Sequence, residues 1–445
     1  MELQAAIVGR MTKLSDHAKR LAQSRFVRNV VTVASGTAAI QVIGAVFAPI
    51  LTRQYGPVAY GAIGAFMALS AVLTNVAGLT YPIAIVLPAE DRKARQLATL
   101  SVTLSIILAV VLAAVLWLTG GTIAQKIGLS GVEGIVLLLP LTIIFITCLS
   151  ACRQWLIRKG RFSSIARVGV AHALFINLVK VGFGVVAPSA TALVSIGALA
   201  PGLYILMLAG SLKDLVRSQG DAGICHRALR NPKELKEVAR EYRDFPLYRA
   251  PQHLLNSFGM AVPMLLLAST FGPAAAGYYA ITQTVMGLPS MLIGKSVGDV
   301  FYPRVTESIR LGRRADREIV KATLALLAVG AVPFGLIILA GPAMFGFVFG
   351  EGWEKSGEYA RWLVPFFLMN LANKPSIVAI APLGLQGKLL VYEVFATAAK
   401  CGGFLLGFFW IKNSVAAVAL FSAAGSLAYI ALVLYVIRVT QRMPR

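Results

Sequence analysis

Apolar runs of about 20 residues follow one another along this chain, separated by short polar connections and, once, by a long one. Each run can cross a hydrocarbon core of roughly 30 Å as an α-helix. The pattern predicts twelve spans, near 30–51, 58–86, 96–119, 132–152, 168–187, 190–211, 250–270, 275–301, 322–348, 362–381, 389–411 and 414–437. The ten-residue alternation of a membrane β-barrel is not the pattern here. The fold expected is therefore an all-α polytopic membrane protein. No cleavable signal peptide is expected, because the first long apolar run is itself a span.

The long polar connection, 213–249, divides six spans from six. Within it, Asn231-Pro232 marks a helix start, and the mixed charges from Lys233 to Arg240 suit a surface helix. An even number of spans in each half gives both halves the same topology, so they are expected to be six-helix bundles related as parallel repeats. A repeated motif supports this: Tyr55-Gly56-Pro57-Val58-Ala59-Tyr60-Gly61 returns half a chain later as Phe271-Gly272-Pro273-Ala274-Ala275-Ala276-Gly277. Gly-Pro ends one helix and pre-sets the next. The expected organisation is a basic amphipathic segment at 1–27 resting on headgroups, a first bundle at 28–212, a linker at 213–249 and a second bundle at 250–445.

Composition sharpens the class. Hydrophobic residues make up 57 % of the chain and charged ones only 14 %, against roughly 25 % charged in soluble domains. The net charge of +23 invites a nucleic-acid reading, but its distribution excludes it. Of the 42 Lys and Arg, only Arg53, Lys126, Lys355, Arg361 and Lys412 fall in one set of alternate loops, and Lys180, Lys295, Lys374 and Lys400 fall within spans. The remainder gather in the opposite set, with both termini. By the positive-inside rule that set is cytoplasmic, so both termini are expected inside and both Gly-Pro hinges outside.

Enzyme chemistry finds no foothold. His17, His172, His226 and His253 have no metal-ligand spacing, and Cys148, Cys152, Cys225 and Cys401 read as small apolar residues. Gly294-Lys295-Ser296 resembles the end of a phosphate loop, but Pro289 stands where its leading glycine is required. No cofactor, metal or nucleic acid is expected, nor a nucleotide-binding domain.

Ionisable residues within spans cost about 2.5–3.5 kcal/mol at a helix centre on insertion scales, and so tend to face a bundle interior. Lys295 and Asp299 share a face of the eighth span at i, i+4. Lys374 follows Asn370 and Asn373 immediately before Pro375, placing a polar face beside a kink in the tenth span. Glu393 and Lys400 lie two turns apart on the eleventh, and Asn177 and Lys180 share a face of the fifth. Arg28 and Arg249 stand at the cytoplasmic mouths of the first and seventh spans. Lys180, Arg28, Arg53 and Arg249 can equally snorkel to an interface, and the Lys–acid pairs can be structural. The interior holds more cation than anion, which favours an anionic ligand.

Several short stretches resemble polysaccharide-unit flippases of the Wzx type. They are Leu51-Thr52-Arg53-Gln54-Tyr55-Gly56-Pro57, Tyr81-Pro82-Ile83-Ala84, Phe245-Pro246-Leu247-Tyr248-Arg249-Ala250-Pro251 and Val300-Phe301-Tyr302-Pro303-Arg304. The resemblance implies the fold of the multidrug/oligosaccharidyl-lipid/polysaccharide exporters, with a cavity between the bundles. It also implies a bacterial cytoplasmic membrane, and movement of an undecaprenyl-diphosphate-linked oligosaccharide by alternating access, alongside polysaccharide assembly enzymes. On that reading Arg28, Arg249, Lys295, Lys374 and Lys400 contact diphosphate or acidic sugar, and Asp299 and Glu393 are candidates for proton or sodium coupling. The alternatives are a cation-coupled multidrug exporter of the same superfamily and a membrane polysaccharide polymerase or glycosyltransferase.

Overall fold

The computed structural model describes residues 25–126, 133–217, 232–310, 315–380 and 382–442; the side chains of 25–31, 120, 123, 125, 126, 133, 212–217, 232, 291–300, 302–306 and 308–310 lie outside the description. Among the described residues there is no strand. The basic segment expected at 1–27 falls almost entirely outside them.

The first helix, α1 (Arg25–Ala77), runs through the first Gly-Pro pair. Gly56 takes φ 68°, a left-handed conformation that a Cβ would oppose, and the helix is kinked there. Beyond it come α2 (Tyr81–Ala84), α3 (Asp91–Lys126), a 3-10 turn (Glu133–Leu138), α4 (Leu139–Arg158), α5 (Phe162–Val186) and α6 (Ala190–Arg217). The linker helix is α7 (Pro232–Glu241), starting at the proline that marks it in the sequence. After a π-turn (Phe245–Arg249), the second half holds α8 (Ala250–Thr270), α9 (Pro273–Arg310), α10 (Asp316–Phe349) and the broken pair α11 (Glu354–Ala372) and α12 (Lys374–Ile380). It ends with α13 (Gln386–Leu406), a second π-turn (Gly407–Ile411) and α14 (Ser414–Gln441).

Among the described residues, nine helices are long and apolar enough to span a membrane, and the α11–α12 pair makes a tenth. The 53-residue α1, kinked at Gly56, has the length of two of the expected spans, and the 38-residue α9 covers the expected eighth. Trp117, Phe347 and Trp410 keep more than four-fifths of their surface exposed, and all three lie at the ends of spans. Large aromatic side chains left bare there suit a membrane interface.

Prolines correct two span boundaries. The second span was expected to reach residue 86, but α1 stops at Ala77 and Leu79 and Thr80 turn left-handed. The Pro82 ring would clash with the carbonyl four residues earlier, at Gly78, so the chain breaks and restarts with Pro82 in the first turn of α2. Pro375 acts alike in the tenth span. There α11 ends at Ala372, Asn373 intervenes, and α12 departs at 41°.

The two Gly-Pro hinges sit at one end of the molecule and touch. A Cβ on Gly61 would collide with the Pro273 carbonyl oxygen, and one on Gly277 with that of Pro57, so α1 and α9 approach backbone to backbone in a reciprocal pair. Gly272 has φ 88°, the counterpart of Gly56. Around this contact the first half caps the end of α10. Arg53 Nη2 donates to the carbonyls of Phe347 (2.9 Å) and Val348 (3.4 Å), and Thr52 Oγ1 to that of Phe349 (3.0 Å). The last carbonyls of a helix have no donors of their own, so these bonds fill a standing deficit. Buried Trp353 returns a bond from Nε1 to the Thr52 carbonyl (3.3 Å) and meets Tyr60 and Tyr278 edge to face at 5.4 and 6.0 Å.

At the opposite, basic end, α7 is pinned to α3. Arg92 and Gln96 reach Glu234, Lys93 reaches Glu241 at 2.9 Å, and Tyr81 Oη donates to the Ala239 carbonyl at 3.3 Å. Arg92 keeps 67 % of its side-chain surface exposed, and such pairs contribute at most about 1 kcal/mol. Arg92→Ala is accordingly expected to lower the melting temperature by no more than about 2 °C, measured by fluorescence of the detergent-solubilised protein.

Candidate functional site

Three residues that the sequence marks on a kinked span, Asn370, Asn373 and Lys374, and two on its neighbour, Glu393 and Lys400, converge on one cavity at the break between α11 and α12. It measures about 300 Å³ and is bounded by α8, α11–α12, α13 and α14. Each helix contributes a face at helical spacing: Gln252, Asn256 and Gly259 from α8; Asn370, Asn373, Lys374 and Ile377 from the broken pair; Leu389, Glu393, Thr397 and Lys400 from α13; Gly425, Tyr429 and Leu432 from α14.

Lys400 is threaded between two glycines. A Cβ on Gly259 would lie 3.1 Å from Thr397 Oγ1 and 3.5 Å from Lys400 Nζ, and one on Gly425 3.4 Å from Lys400 Cδ. Removing side chains there makes room for the lysine to lie across the lobe. Its ammonium is within electrostatic reach of the Glu393 carboxylate, which also has a hydrogen bond with Asn256. No Lys400–Glu393 ion pair closes within 4 Å, so the expected pair is a loose one.

Lys374 opens α12, at the point where the helix break has turned the chain toward the cavity. Its ammonium has neither a hydrogen bond nor an ion pair among the described residues. Beside it, buried Asn373 leaves Oδ1 without a partner, and Tyr392 leaves its hydroxyl so. Buried polar groups are normally satisfied, and each orphan costs about 1–3 kcal/mol. Asn370 Nδ2 donates to Tyr429 Oη at 2.7 Å, which ties α11 to α14 across the site. The described lining thus offers two ammonium groups against one carboxylate, with unused donors and acceptors between them. That arrangement can hold an anion carrying hydroxyls.

Three expectations are brought together here: Lys374, Lys400 and Glu393. Arg249 is not; it is exposed on the π-turn, its guanidinium over the Phe245 ring at 5.1 Å, three residues before Gln252. The side chains of Arg28, Lys295 and Asp299 lie outside the description. Arg53 caps α10, and Lys180 lies in the first half, where its carbonyl accepts from Tyr55 Oη at 2.6 Å. Every residue lining this cavity belongs to the second half. The first half reaches its edge through Asn75, which donates to Ser257 Oγ at 2.7 Å. Four lining residues escaped the sequence reading. Gln252 and Asn256 carry a signal, two amides at i, i+4 in an apolar span, whereas Tyr392 and Tyr429 look like ordinary membrane aromatics.

Helices throughout the described residues, with a polar cavity inside an apolar shell, define a multi-pass membrane protein. Residues 50–358, more than half of the sequence, match the polysaccharide biosynthesis protein family, and the chain belongs to it. No curated protein matches the sequence. Among solved structures it is similar to the lipid II flippase MurJ in an inward closed conformation, at TM-score 0.70 and 14 % identity over 93 % of this chain and 88 % of that one. It is also similar to an inward-facing multidrug resistance transporter of the MATE family in the MOP superfamily, at 0.63 and 14 %, over 93 % and 96 %. A MOP superfamily transporter from Pyrococcus furiosus, described as having a binding pocket of reverse polarity, aligns at 0.54 and 14 %, over 94 % and 96 %. At these identities the likeness concerns the fold.

Proposed function

We propose that this protein is a flippase, without catalytic activity of its own, that moves an undecaprenyl-diphosphate-linked oligosaccharide across the bacterial cytoplasmic membrane by alternating access. The cargo would be a repeat unit of O-antigen, capsule or exopolysaccharide. The carrying observation is the cavity at the α11–α12 break, where Lys374 and Lys400 meet unpartnered polar groups inside a member of the polysaccharide biosynthesis family.

A diphosphate and its sugars cannot cross hydrocarbon with their hydration stripped away. Ammonium groups replace water around the phosphates, and the amides and phenols replace it around the sugars. Lys374 and Lys400 are the primary contacts; Lys295, Arg28 and Arg249 are assigned to the approach from the basic end, which the charge distribution makes cytoplasmic. Glu393, within electrostatic reach of Lys400, can exchange that lysine for a proton or sodium ion, and Asp299, four residues from Lys295 in the sequence, is assigned the same coupling role. With its hinge end interlocked and assigned to the outer side, this conformation would be the one closed to the outside. The first half at 28–212 and the second at 250–445 would rock about that contact, joined by the linker at 213–249.

The multidrug-exporter reading shares the fold, but a cationic drug gains nothing from two lysines facing one carboxylate. A strain lacking this gene tests all the readings. Lipid-linked repeat units are expected to accumulate in the inner leaflet, inaccessible to an added glycosidase in intact spheroplasts. Accumulation in the outer leaflet would point to a polymerase, and unchanged levels with altered drug tolerance to an exporter; either result would overturn the proposal.

A further inference from the structure

A second, larger cavity of about 710 Å³ adjoins the cationic one at its basic end, between α13 and α14. It is apolar, walled by Val391, Phe395, Ala431 and Tyr435, with Lys388 at its rim held over the Tyr435 ring at 6.0 Å. Leu389, Tyr392 and Leu432 line both cavities, so a single layer of side chains separates an apolar groove from a site of fixed positive charge. Val391 and Phe395 are 56 % and 70 % exposed and turn to the surrounding lipid. On the open side, Gly387 would carry a Cβ into empty space.

We infer that this groove is a lateral portal that holds the isoprenoid chain next to the diphosphate while the headgroup enters the cationic cavity, with Tyr392 as the partition between them. The inference rests on the flippase reading and adds a site to it. A headgroup inside the lobe and a tail in the bilayer need a covered path through the helix wall, and the junction of these two cavities supplies one. Transfer from lipid into the groove yields little hydrophobic free energy, because lipid tails are as apolar as leucine. What the groove contributes is position. It adjoins the cationic cavity, so its occupant is the isoprenoid chain that the diphosphate itself carries, and the effect should be read as a preference for a long chain over a short one.

The full-length protein in phosphatidylglycerol nanodiscs would be titrated with undecaprenyl diphosphate and with geranyl diphosphate, binding being read by native mass spectrometry. The wild type is expected to prefer the long chain by about tenfold. Gly387→Phe and Ala431→Trp, which fill the groove from opposite walls, should bring that preference within about twofold and leave geranyl diphosphate binding unchanged. A wild type that binds both diphosphates equally, or filled variants that keep the preference, would overturn the portal while leaving the flippase reading intact. Failure to bind either diphosphate would overturn both.

Discussion

The double variant Lys374→Ala/Lys400→Ala is expected to abolish export of surface polysaccharide while the protein accumulates to its normal level. Neither ammonium is hydrogen-bonded to a described residue, so their loss strands no donor or acceptor of the fold. For Lys374, removing a half-buried charge relieves a desolvation cost, and the melting temperature should hold or rise. For Lys400 the loose neighbour Glu393 loses its nearest cation, which calls for a small decrease. Transport stands differently. A hydrogen bond to a charged group contributes about 1.5–3 kcal/mol, so two lost contacts to a diphosphate amount to about 3–6 kcal/mol, or roughly 10² to 10⁴ in occupancy. Surface glycan by immunoblot, beside a thermal melt of the purified variant, separates the two effects. Full export at normal abundance would sink the assignment of these lysines.

The second large effect belongs to the hinges. Gly61→Ala/Gly277→Ala places a methyl group against a backbone carbonyl on each side of the α1–α9 contact, and backbone cannot step aside as a side chain can. Overpacking costs about 1–3 kcal/mol per site, so the pair should disfavour the interlocked state by about 2–6 kcal/mol, roughly 30-fold to 10⁴-fold in population. A protein unable to close its hinge end cannot alternate, and export is expected to stop. Spin labels at Val58→Cys and Lys355→Cys, exposed positions on opposite halves beside the contact, should report a longer separation in the variant. An unchanged distance distribution would show that the glycines are packing residues with no part in gating.

The hinge motif illustrates how far a linear reading carries. Its conformation follows from local chemistry: glycine before proline at a positive φ, in both halves. Its partner does not. The collision of Gly61 with Pro273 joins positions far apart in the chain, and no local rule connects them. The same division runs through the site. Lys374, Glu393 and Lys400 stand out because an ionisable residue in an apolar run is expensive, and the Pro375 kink beside Lys374 is a steric consequence of its ring. Tyr429 and Tyr392 carry no such mark, since a tyrosine in a span is unremarkable until its hydroxyl is found facing Asn370 or facing nothing.

By itself, then, the sequence determined that the chain is a twelve-span membrane protein in two like halves, with its bends at Gly-Pro and Pro and its interior charges on the later helices. These properties depend on span length, φ preferences and desolvation cost, each of which acts within a few residues. Only the tertiary structure decided that Lys374 and Lys400 line one cavity inside the second half, that an apolar groove lies one side chain away, and that the hinges lock against each other. Those outcomes depend on which helix faces meet, and that is settled by close packing among residues hundreds of positions apart.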